Sequence, residues 1–317
     1  MRVLVLGATG QLGRHTAEHL HARPGVQVLR AGRAPGPAPR GAAPDLAVDL
    51  AAADPAELAG LLADLSPDAV VNCAGAVGGD ALHLTGANAR GPAALCAALR
   101  TAVPGVRLVH LGSAAEYGPG EPGHPLAEDH PTRPVGLYGA AKLAGTLAVT
   151  GSGLDAVVLR VFNPVGPGAP PSSLPGRLAA ELRRAVGAGA GGAGAGGGGE
   201  HGVVRVGDLS AYRDFVDTRD VAAAATAAAL VPGPLPGVLN IAGGRARPVR
   251  DVAEALARAA GFRGRIDERG DGSARSAAVA WQQADVSAAA EALGWRPRRP
   301  LEESLADLWT AGAGTAP

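Results

Sequence analysis

The first thirteen residues constrain the fold of this chain more than any other stretch. Val3 to Leu6 form an unbroken apolar run, typical of a strand buried on both faces of a parallel sheet. Gly7, Gly10 and Gly13 follow at three-residue spacing, and a helical stretch runs from Gln11 to about Ala22. Such a glycine turn favours a dinucleotide pyrophosphate, because the backbone can approach it and helix N–H groups point at it. The alternative is an ordinary glycine-rich turn.

The composition and charge of the chain exclude some classes of function. With 317 residues, the chain is long enough for one large α/β domain and a smaller lobe. Its formal net charge is +0 and it has no block of Lys or Arg, which argues against nucleic acid and membranes as partners. Cys73 and Cys96 lack a metal-like or paired spacing, and no apolar run could span a bilayer. We therefore expect a cytoplasmic protein without a bound metal.

Strand and helix patterns alternate along the chain. Strands are predicted at residues 26–30, 45–50, 69–72, 106–111, 156–162, 203–206 and 238–241. Helices are predicted at residues 55–64, 80–101, 137–150, 174–186, 218–230, 249–260 and 301–311. This alternation indicates βαβ units, and hence a Rossmann-type doubly wound parallel sheet of the α/β class. The Gly/Ala stretch 187–199 is too poor in large apolar side chains to order itself, so we expect a flexible loop.

The end of the second predicted strand bears on the choice between NAD and NADP. An acidic residue there would bind the ribose hydroxyls, whereas an arginine would accept a 2′-phosphate. Gly32 stands at the expected acidic position and Arg33 follows it, with Arg14 just beyond the glycine turn, so the sequence favours NADP. The alternative is that Arg33 is a solvated loop charge. Asp49, at the end of the third predicted strand, is a candidate contact for the adenine edge.

A second informative stretch begins at Tyr138. Tyr138 and Lys142 are four residues apart on a predicted helix, so the phenol and the ammonium share one face. A neighbouring ammonium stabilises the phenolate, which suits proton exchange with a substrate oxygen. Ser113 lies at the carboxyl end of the fifth predicted strand, where open α/β sheets bind ligands. A Tyr–Lys pair alone is more often structural, and we expect His110 to be a hydrogen-bonded core histidine.

Seven motifs occur in the order of a known family. They are Gly7-Ala-Thr-Gly10-Gln-Leu-Gly13, Gly112-Ser113-Ala-Ala-Glu-Tyr117-Gly118, Tyr138-Gly-Ala-Ala-Lys142, Leu159-Arg-Val-Phe-Asn163-Pro-Val-Gly166, Arg213-Asp-Phe-Val-Asp-Thr-Arg-Asp220, Asn240-Ile-Ala-Gly-Gly244 and Leu293-Gly-Trp295-Arg-Pro297. The chain thus resembles the extended short-chain dehydrogenases/reductases, the NAD-dependent epimerase/dehydratase family. The resemblance covers nearly the whole chain.

The resemblance implies two domains with different binding roles. A dinucleotide-binding domain would comprise residues 1–165, with 215–241 returning to it, and a substrate-binding lobe would comprise 166–214 and 242–317. Ser113, Tyr138 and Lys142 would be the catalytic residues. A homodimer would form through the long helices within residues 80–101 and 137–150.

The cofactor and the substrate would each contact a set of residues. The cofactor set is Gly7, Thr9, Gly10, Gln11, Leu12, Gly13, Arg33, Asp49, Leu50, Cys73, Ala74, Gly75, Asn88, Tyr138, Lys142, Asn163 and Val165. The substrate set is Ser113, Ala114, Glu116, Asn163 and Arg213, with Arg213 near the ribose or the phosphates of a nucleotide. The cofactor would be NADP(H), with NAD as the alternative.

The residues after Ser113 separate the reactions of this family. Dehydratases carry an Asp-Glu acid/base pair there, whereas this chain has Ala114 and Ala115, which cannot transfer protons. The motifs around Ser113 and Arg213 are most similar to those of GDP-4-dehydro-6-deoxymannose reductases and related ketoreductases. We therefore expect an NADPH-dependent ketoreductase acting on a nucleotide-linked 4-keto-6-deoxyhexose. The alternatives are an NAD-dependent nucleotide-sugar 4-epimerase, a ketoreductase for a non-sugar natural-product scaffold, and a non-catalytic dinucleotide-sensing protein.

Overall fold

The computed structural model describes residues 1–33, 45–190, 202–269 and 279–313. Its strands are β1 (Arg2–Leu6), β2 (Gln27–Gly32), β3 (Leu46–Ala47), β4 (Ala69–Asn72), β5 (Arg107–Ser113), β6 (Asp155–Val161), β7 (Pro164–Val165), β8 (Val203–Arg205), β9 (Tyr212–Asp214), β10 (Val216–Asp217), β11 (Val238–Ile241), β12 (Ala246–Pro248) and β13 (Arg265–Asp267). Seven of them form one sheet in the order β11-β6-β5-β4-β1-β2-β3. All neighbours in this sheet are parallel, which confirms the predicted α/β fold.

The helices are α1 (Gln11–His21), α2 (Pro55–Leu65), α3 (Ala81–Thr85), α4 (Gly91–Ala102), α5 (Leu137–Thr150), α6 (Leu174–Ala190), α7 (Thr218–Leu230), α8 (Val249–Ala259), α9 (Ser287–Leu293) and α10 (Leu301–Ala313). A π-helical turn, Gly86–Arg90, joins α3 to α4, and a 3₁₀ turn, Ala114–Glu116, follows β5. None of the helices in the described ranges is both long and apolar enough to cross a membrane.

Apolar side chains bury both faces of the sheet. Val3 and Val5 point into a cluster shared with α1 and α7, while Leu4 and Leu6 point into a second cluster shared with α2 and α4. This alternation explains why β1 is apolar throughout. A third cluster lies among α6, α8 and α10, so the elements after β6 include an apolar core apart from the sheet.

Some element boundaries were predicted and others were not. The bounds of β4, α5, α7 and β11 agree with the sequence prediction. The third strand was predicted at 45–50 but comprises only Leu46–Ala47. The flexible loop predicted at 187–199 was wrong in its first part, because residues 187–190 belong to α6, and residues 191–199 lie outside the described part of the chain.

Candidate active site

The carboxyl ends of three neighbouring strands meet at one edge of the sheet. β5, β4 and β1 are adjacent, so Ser113, the segment after Asn72 and the glycine turn lie side by side. The Cys73 N–H donates to Leu6 O at 3.0 Å, which ties the second of these segments to the first strand. Open α/β sheets bind ligands at this edge.

The glycine turn fits a dinucleotide pyrophosphate. Gly7 has a φ of +72°, and a Cβ at this position would lie 2.7 Å from the Ala74 nitrogen. A Cβ on Gly13 would collide with Gly7 O. Gly10 is the N-cap residue of α1, no side chain caps this helix end, and its first turn carries no acidic residue. The orphan N–H groups and the dipole of α1 therefore remain available for an anion.

The side chains of the glycine turn point in different directions. Thr9 is exposed, whereas Leu12 packs against the core beside β1. Gln11 Nε2 donates to Gly166 O at 3.3 Å and to Pro167 O at 3.2 Å, so this side chain holds a later loop. Any contact of Gln11 or Leu12 with a pyrophosphate would therefore come from the backbone N–H groups in the first turn of α1.

The predicted nucleoside contacts lie beyond the ends of β2 and β3. Arg33 is exposed directly after β2. Arg14 lies against Gly168 and 3.9 Å from Glu18, so the loop after β7 and its own helix engage it. Asp49 is exposed and accepts the Ala51 N–H at 3.1 Å. The Leu50 side chain is buried in the sheet core, so only its backbone remains for the predicted cofactor contact.

The segment after β4 lies beside Lys142. A Cβ on Gly75 would lie 3.3 Å from Lys142 Nζ. In the same segment, burial raises the pKa of the Cys73 thiol to about 12. Asn88 was predicted to contact the cofactor, but its buried amide accepts the Ala76 N–H at 3.1 Å and donates to Ala76 O at 2.8 Å. Asn88 thus shapes the loop after Ala74, and its predicted contact with the cofactor stays a prediction.

The three predicted catalytic residues lie on two elements that touch. Lys142 Nζ, on α5, donates to Leu111 O of β5 at 2.7 Å, and burial lowers the pKa of this ammonium. Tyr138 stands half-buried in the first turn of α5. A Cβ on the next residue, Gly139, would collide with Ala115 O. The helix therefore lies directly against the turn that follows Ser113, whose Oγ accepts the Ala115 N–H at 3.2 Å.

Two residues that were predicted to contact the substrate have buried side chains. The Glu116 carboxylate is fully buried and accepts hydrogen bonds from the Ser113 N–H at 2.7 Å, from Thr146 Oγ1 at 2.9 Å and from Arg160 Nε at 2.9 Å. This carboxylate holds the backbone of Ser113 in place. Ala114 is also buried, in a cluster with Tyr117 and Phe162. The predicted substrate contacts of Ala114 and Glu116 stay predictions.

The remaining predicted residues lie on or next to β7 and β9. Asn163 has a φ of +25°, and its Nδ2 donates to Asp214 O at 2.7 Å. The Val165 side chain is fully buried in the third apolar cluster, so only its backbone remains for the predicted cofactor contact. The Arg213 guanidinium is mostly buried, donates to Tyr212 O and Val279 O, and has a pKa lowered to about 10 by burial.

Sequence reasoning missed several polar residues around the site. Arg160 and Thr146 share the Glu116 carboxylate, and the Gln282 amide reaches the turn after Ser113. Arg160 stands in a motif that was recognised, but Gln282 lies in no motif. The buried His110 ring uses one of its two nitrogens in a hydrogen bond. Its Nδ1 accepts from Asn72 Nδ2 at 3.1 Å, and its Nε2 has no hydrogen-bond partner among the described residues. The part of the chain that the structure describes contains no group of three or more His, Cys, Asp or Glu that could hold a metal ion.

Comparison with known proteins agrees with this geometry. Residues 3–242 match the NAD dependent epimerase/dehydratase family. The chain is 38% identical over 323 residues to dTDP-6-deoxy-L-talose 4-dehydrogenase (NAD(P)(+)) of Kitasatospora kifunensis, covering 100% of this chain and 96% of the relative. It is 29% identical to UDP-glucose 4-epimerase of Mycolicibacterium smegmatis, covering 96% of each chain. The solved structure of MoeE5 in complex with UDP-glucuronic acid and NAD superposes with a TM-score of 0.81, at 28% identity and with 100% of both chains covered.

The family model matches most of the chain, and one relative is covered over nearly its whole length. The glycine turn and the Ser–Tyr–Lys set agree with the same family. The chain belongs to the NAD dependent epimerase/dehydratase family and is an NAD(P)-dependent oxidoreductase of the extended short-chain dehydrogenase/reductase type.

Proposed function

We propose that this enzyme is an NADPH-dependent ketoreductase that reduces the 4-ketone of a nucleotide-linked 4-keto-6-deoxyhexose. The observation that carries the proposal is the packing of α5, the helix of Tyr138 and Lys142, against the turn that follows Ser113, with Lys142 beside Gly75. The similarity to a dTDP-6-deoxy-L-talose 4-dehydrogenase supports position C4, because oxidation of a 4-hydroxyl and reduction of a 4-ketone are one reaction in opposite directions.

Each catalytic residue has one task in this proposal. A bound nicotinamide supplies the hydride that is added to the ketone carbon. The Tyr138 hydroxyl donates a proton to the ketone oxygen, so that hydride and proton together convert the carbonyl to a carbinol. The Ser113 hydroxyl donates a hydrogen bond to the same oxygen and holds it. The Lys142 ammonium stabilises the phenolate that remains after proton transfer, because opposite charges attract strongly in a site of low dielectric constant.

The binding roles follow the predicted division of the chain. Residues 1–165 and 215–241 bind the dinucleotide, and residues 166–214 and 242–317 bind the nucleotide-linked sugar. Arg33 binds the 2′-phosphate of NADPH, which its exposed position after β2 permits. Arg213 binds the nucleotide part of the substrate. Its buried guanidinium, with a pKa lowered to about 10, favours an anionic ligand that would restore the stability of the charge.

A nucleotide-sugar 4-epimerase is the second candidate. The similarity to the UDP-glucose 4-epimerase of Mycolicibacterium smegmatis, over nearly the whole length of both chains, supports it. Both reactions use a tyrosine acid/base at C4, so the Ser–Tyr–Lys set does not separate them. They differ in whether the nicotinamide cofactor is consumed.

Nicotinamide absorbance provides the test. The purified protein would be mixed with NADPH or NADH and with dTDP- and GDP-linked 4-keto-6-deoxyhexoses. Net oxidation of NADPH, faster than that of NADH, is the expected result. In a parallel incubation, the protein would be mixed with NAD and with nucleotide-linked hexoses that carry a 4-hydroxyl. Interconversion of their C4 epimers without net consumption of cofactor would replace the reductase proposal with the epimerase. A protein that neither consumes a cofactor nor interconverts any of these nucleotide sugars would refute both.

A further inference from the structure

A segment from the carboxyl-terminal part of the chain lies between the loop that follows Ser113 and β9. We call residues 279–285 the strap. On one side the strap pairs with β9, through hydrogen bonds from the Tyr212 N–H to Ala280 O at 2.8 Å and from the Gln282 N–H to Tyr212 O at 3.1 Å. On its other side, the Gly120 N–H donates to Trp281 O at 2.9 Å. The strap therefore connects the strand of Arg213 with the loop that follows Ser113.

One side chain of the strap reaches the catalytic turn itself. The Gln282 amide is buried, and its Nε2 donates to Ala114 O at 3.0 Å and to Gly118 O at 2.6 Å. Ala114 directly follows Ser113 and begins the 3₁₀ turn, and Gly118, with a φ of +77°, lies two residues after the end of that turn. The two hydrogens of one amide thus hold Ala114 and Gly118 together.

We propose that Gln282 is a positioning residue for Ser113, an inference that rests on the proposed function for its effect on turnover. The Ser113 hydroxyl accepts the Ala115 N–H at 3.2 Å, so its direction depends on the conformation of the turn. Glu116 fixes the start of this turn through the Ser113 N–H, and Gln282 fixes its carbonyls. A neutral amide suits this place, because it donates two hydrogen bonds without burying a charge beside the two carbonyl oxygens.

The adjacent glutamine provides a matched control. Gln283 lies on the same strap, but its Nε2 donates to Gly244 O at 3.0 Å, away from the Ser113 turn. Gln282→Met and Gln283→Met remove the same amide and keep a similar side-chain volume. Gln282→Met removes two hydrogen bonds to the segment after Ser113, whereas Gln283→Met removes one to Gly244.

Turnover and hydrogen exchange are then compared between the two variants. Gln282→Met should lower kcat for the keto sugar by about tenfold to a hundredfold, the size of effect that slight misplacement of a catalytic group produces. Its affinity for NADPH should stay within about twofold of the Gln283→Met value, because the glycine turn is untouched. The backbone amides of residues 113–118 should exchange faster in Gln282→Met than in Gln283→Met. Equal exchange in the two variants would overturn the inference, and this readout holds even if the protein reduces no sugar.

A charged isostere gives a second, independent test. In Gln282→Glu, an ionised carboxylate would face two carbonyl oxygens, whereas the protonated form can still donate one hydrogen bond. The kcat of Gln282→Glu should therefore rise relative to wild type as pH falls, while that of Gln283→Glu should not. If wild type reduces the keto sugar and the kcat ratio of Gln282→Glu to wild type is independent of pH, the inference fails and the proposed function stands.

Discussion

Tyr138 carries the proton transfer in the proposed mechanism, and its removal gives the sharpest test at the scale of single residues. Tyr138→Phe deletes the hydroxyl but keeps the ring in the first turn of α5. We expect kcat to fall by about 10²–10⁴-fold, the usual contribution of a general acid, with little change in NADPH affinity. Steady-state kinetics and a fluorescence titration with NADPH measure the two effects. Undiminished turnover in Tyr138→Phe would exclude this residue as the proton donor.

Glu116 supports the site from inside the protein. Its carboxylate and the Arg160 guanidinium form a buried ion pair at 2.9 Å, and Arg160 also stacks over the Tyr117 ring at 4.4 Å. Glu116→Gln leaves this guanidinium buried without its counter-charge, which should cost about 3–5 kcal/mol of unfolding free energy. Glu303→Gln, in an ion pair with Arg299 that is open to solvent, is the control and should cost less than about 1 kcal/mol. Urea unfolding measures both, and equal losses would contradict the role of the buried pair.

His110 makes the stability of the fold depend on pH. Asn72 Oδ1 accepts the Ala74 N–H at 3.0 Å, so Asn72 Nδ2 faces His110 Nδ1, which must accept and remain unprotonated. Burial, together with the nearby Lys142 charge, holds the pKa of His110 well below 6.5. A group with a lowered pKa contributes stability above its unfolded pKa and loses it as pH falls, here by about 1.4 kcal/mol per pH unit below about 6.5.

The variant His110→Gln isolates this contribution. Its amide oxygen can accept from Asn72 but does not titrate, so its unfolding free energy should fall less steeply than that of wild type below pH 6.5. His83→Gln, at an exposed histidine, is the control and should follow wild type. Parallel pH curves for wild type and His110→Gln would show that the buried imidazole does not govern acid stability.

At the scale of elements, the contact between α5 and the catalytic turn depends on Gly139. Alanine is the better helix former by about 1 kcal/mol, so helix propensity alone predicts that Gly139→Ala stabilises α5. Its methyl group would collide with Ala115 O, and overpacking typically costs about 1–3 kcal/mol. We expect a net loss of stability and a kcat lowered by about tenfold or more, because Tyr138 moves away from Ser113.

Gly60 provides the matched control for this substitution. It lies in α2, and a Cβ there meets no atom within 4 Å, so Gly60→Ala should raise the melting temperature slightly and leave kcat unchanged. If Gly139→Ala behaves like Gly60→Ala in both measurements, then α5 is not as close to the turn as we describe.

At the scale of the whole molecule, the predicted homodimer has a testable surface. Leu82 on α3 is 84% exposed and Leu147 on α5 is 62% exposed, and these two helices contact each other. A stable dimer would bury roughly 1,200–2,000 Å² in total, and a charge at its apolar centre is costly. Leu147→Glu should therefore convert a dimer to a monomer in light scattering, whereas Val203→Glu, on exposed β8, should not. A monomeric wild-type protein would refute the homodimer prediction.

The sequence predicted the elements whose signals are local. The bounds of α5 and α7 agreed with the prediction, because the helical period repeats over several turns of each helix. The two- and three-residue strands β7, β9, β10 and β12 were missed, because a pairing partner and not a periodic pattern defines so short a strand. Helix α6 extends into the Gly/Ala stretch, although glycine-rich composition favours a loop.

The same difference holds within the site. The sequence by itself determined the glycine turn, the buried parallel sheet and the Tyr138–Lys142 spacing, because each is written in residues that are neighbours along the chain. Only the tertiary structure decided that Glu116 pairs with Arg160, 44 residues away, and that Gln282 bonds to Ala114 across 168 residues. Hydrogen bonds between such distant residues leave no periodic trace in the sequence, because the folded sheet and not the chain brings their atoms within reach.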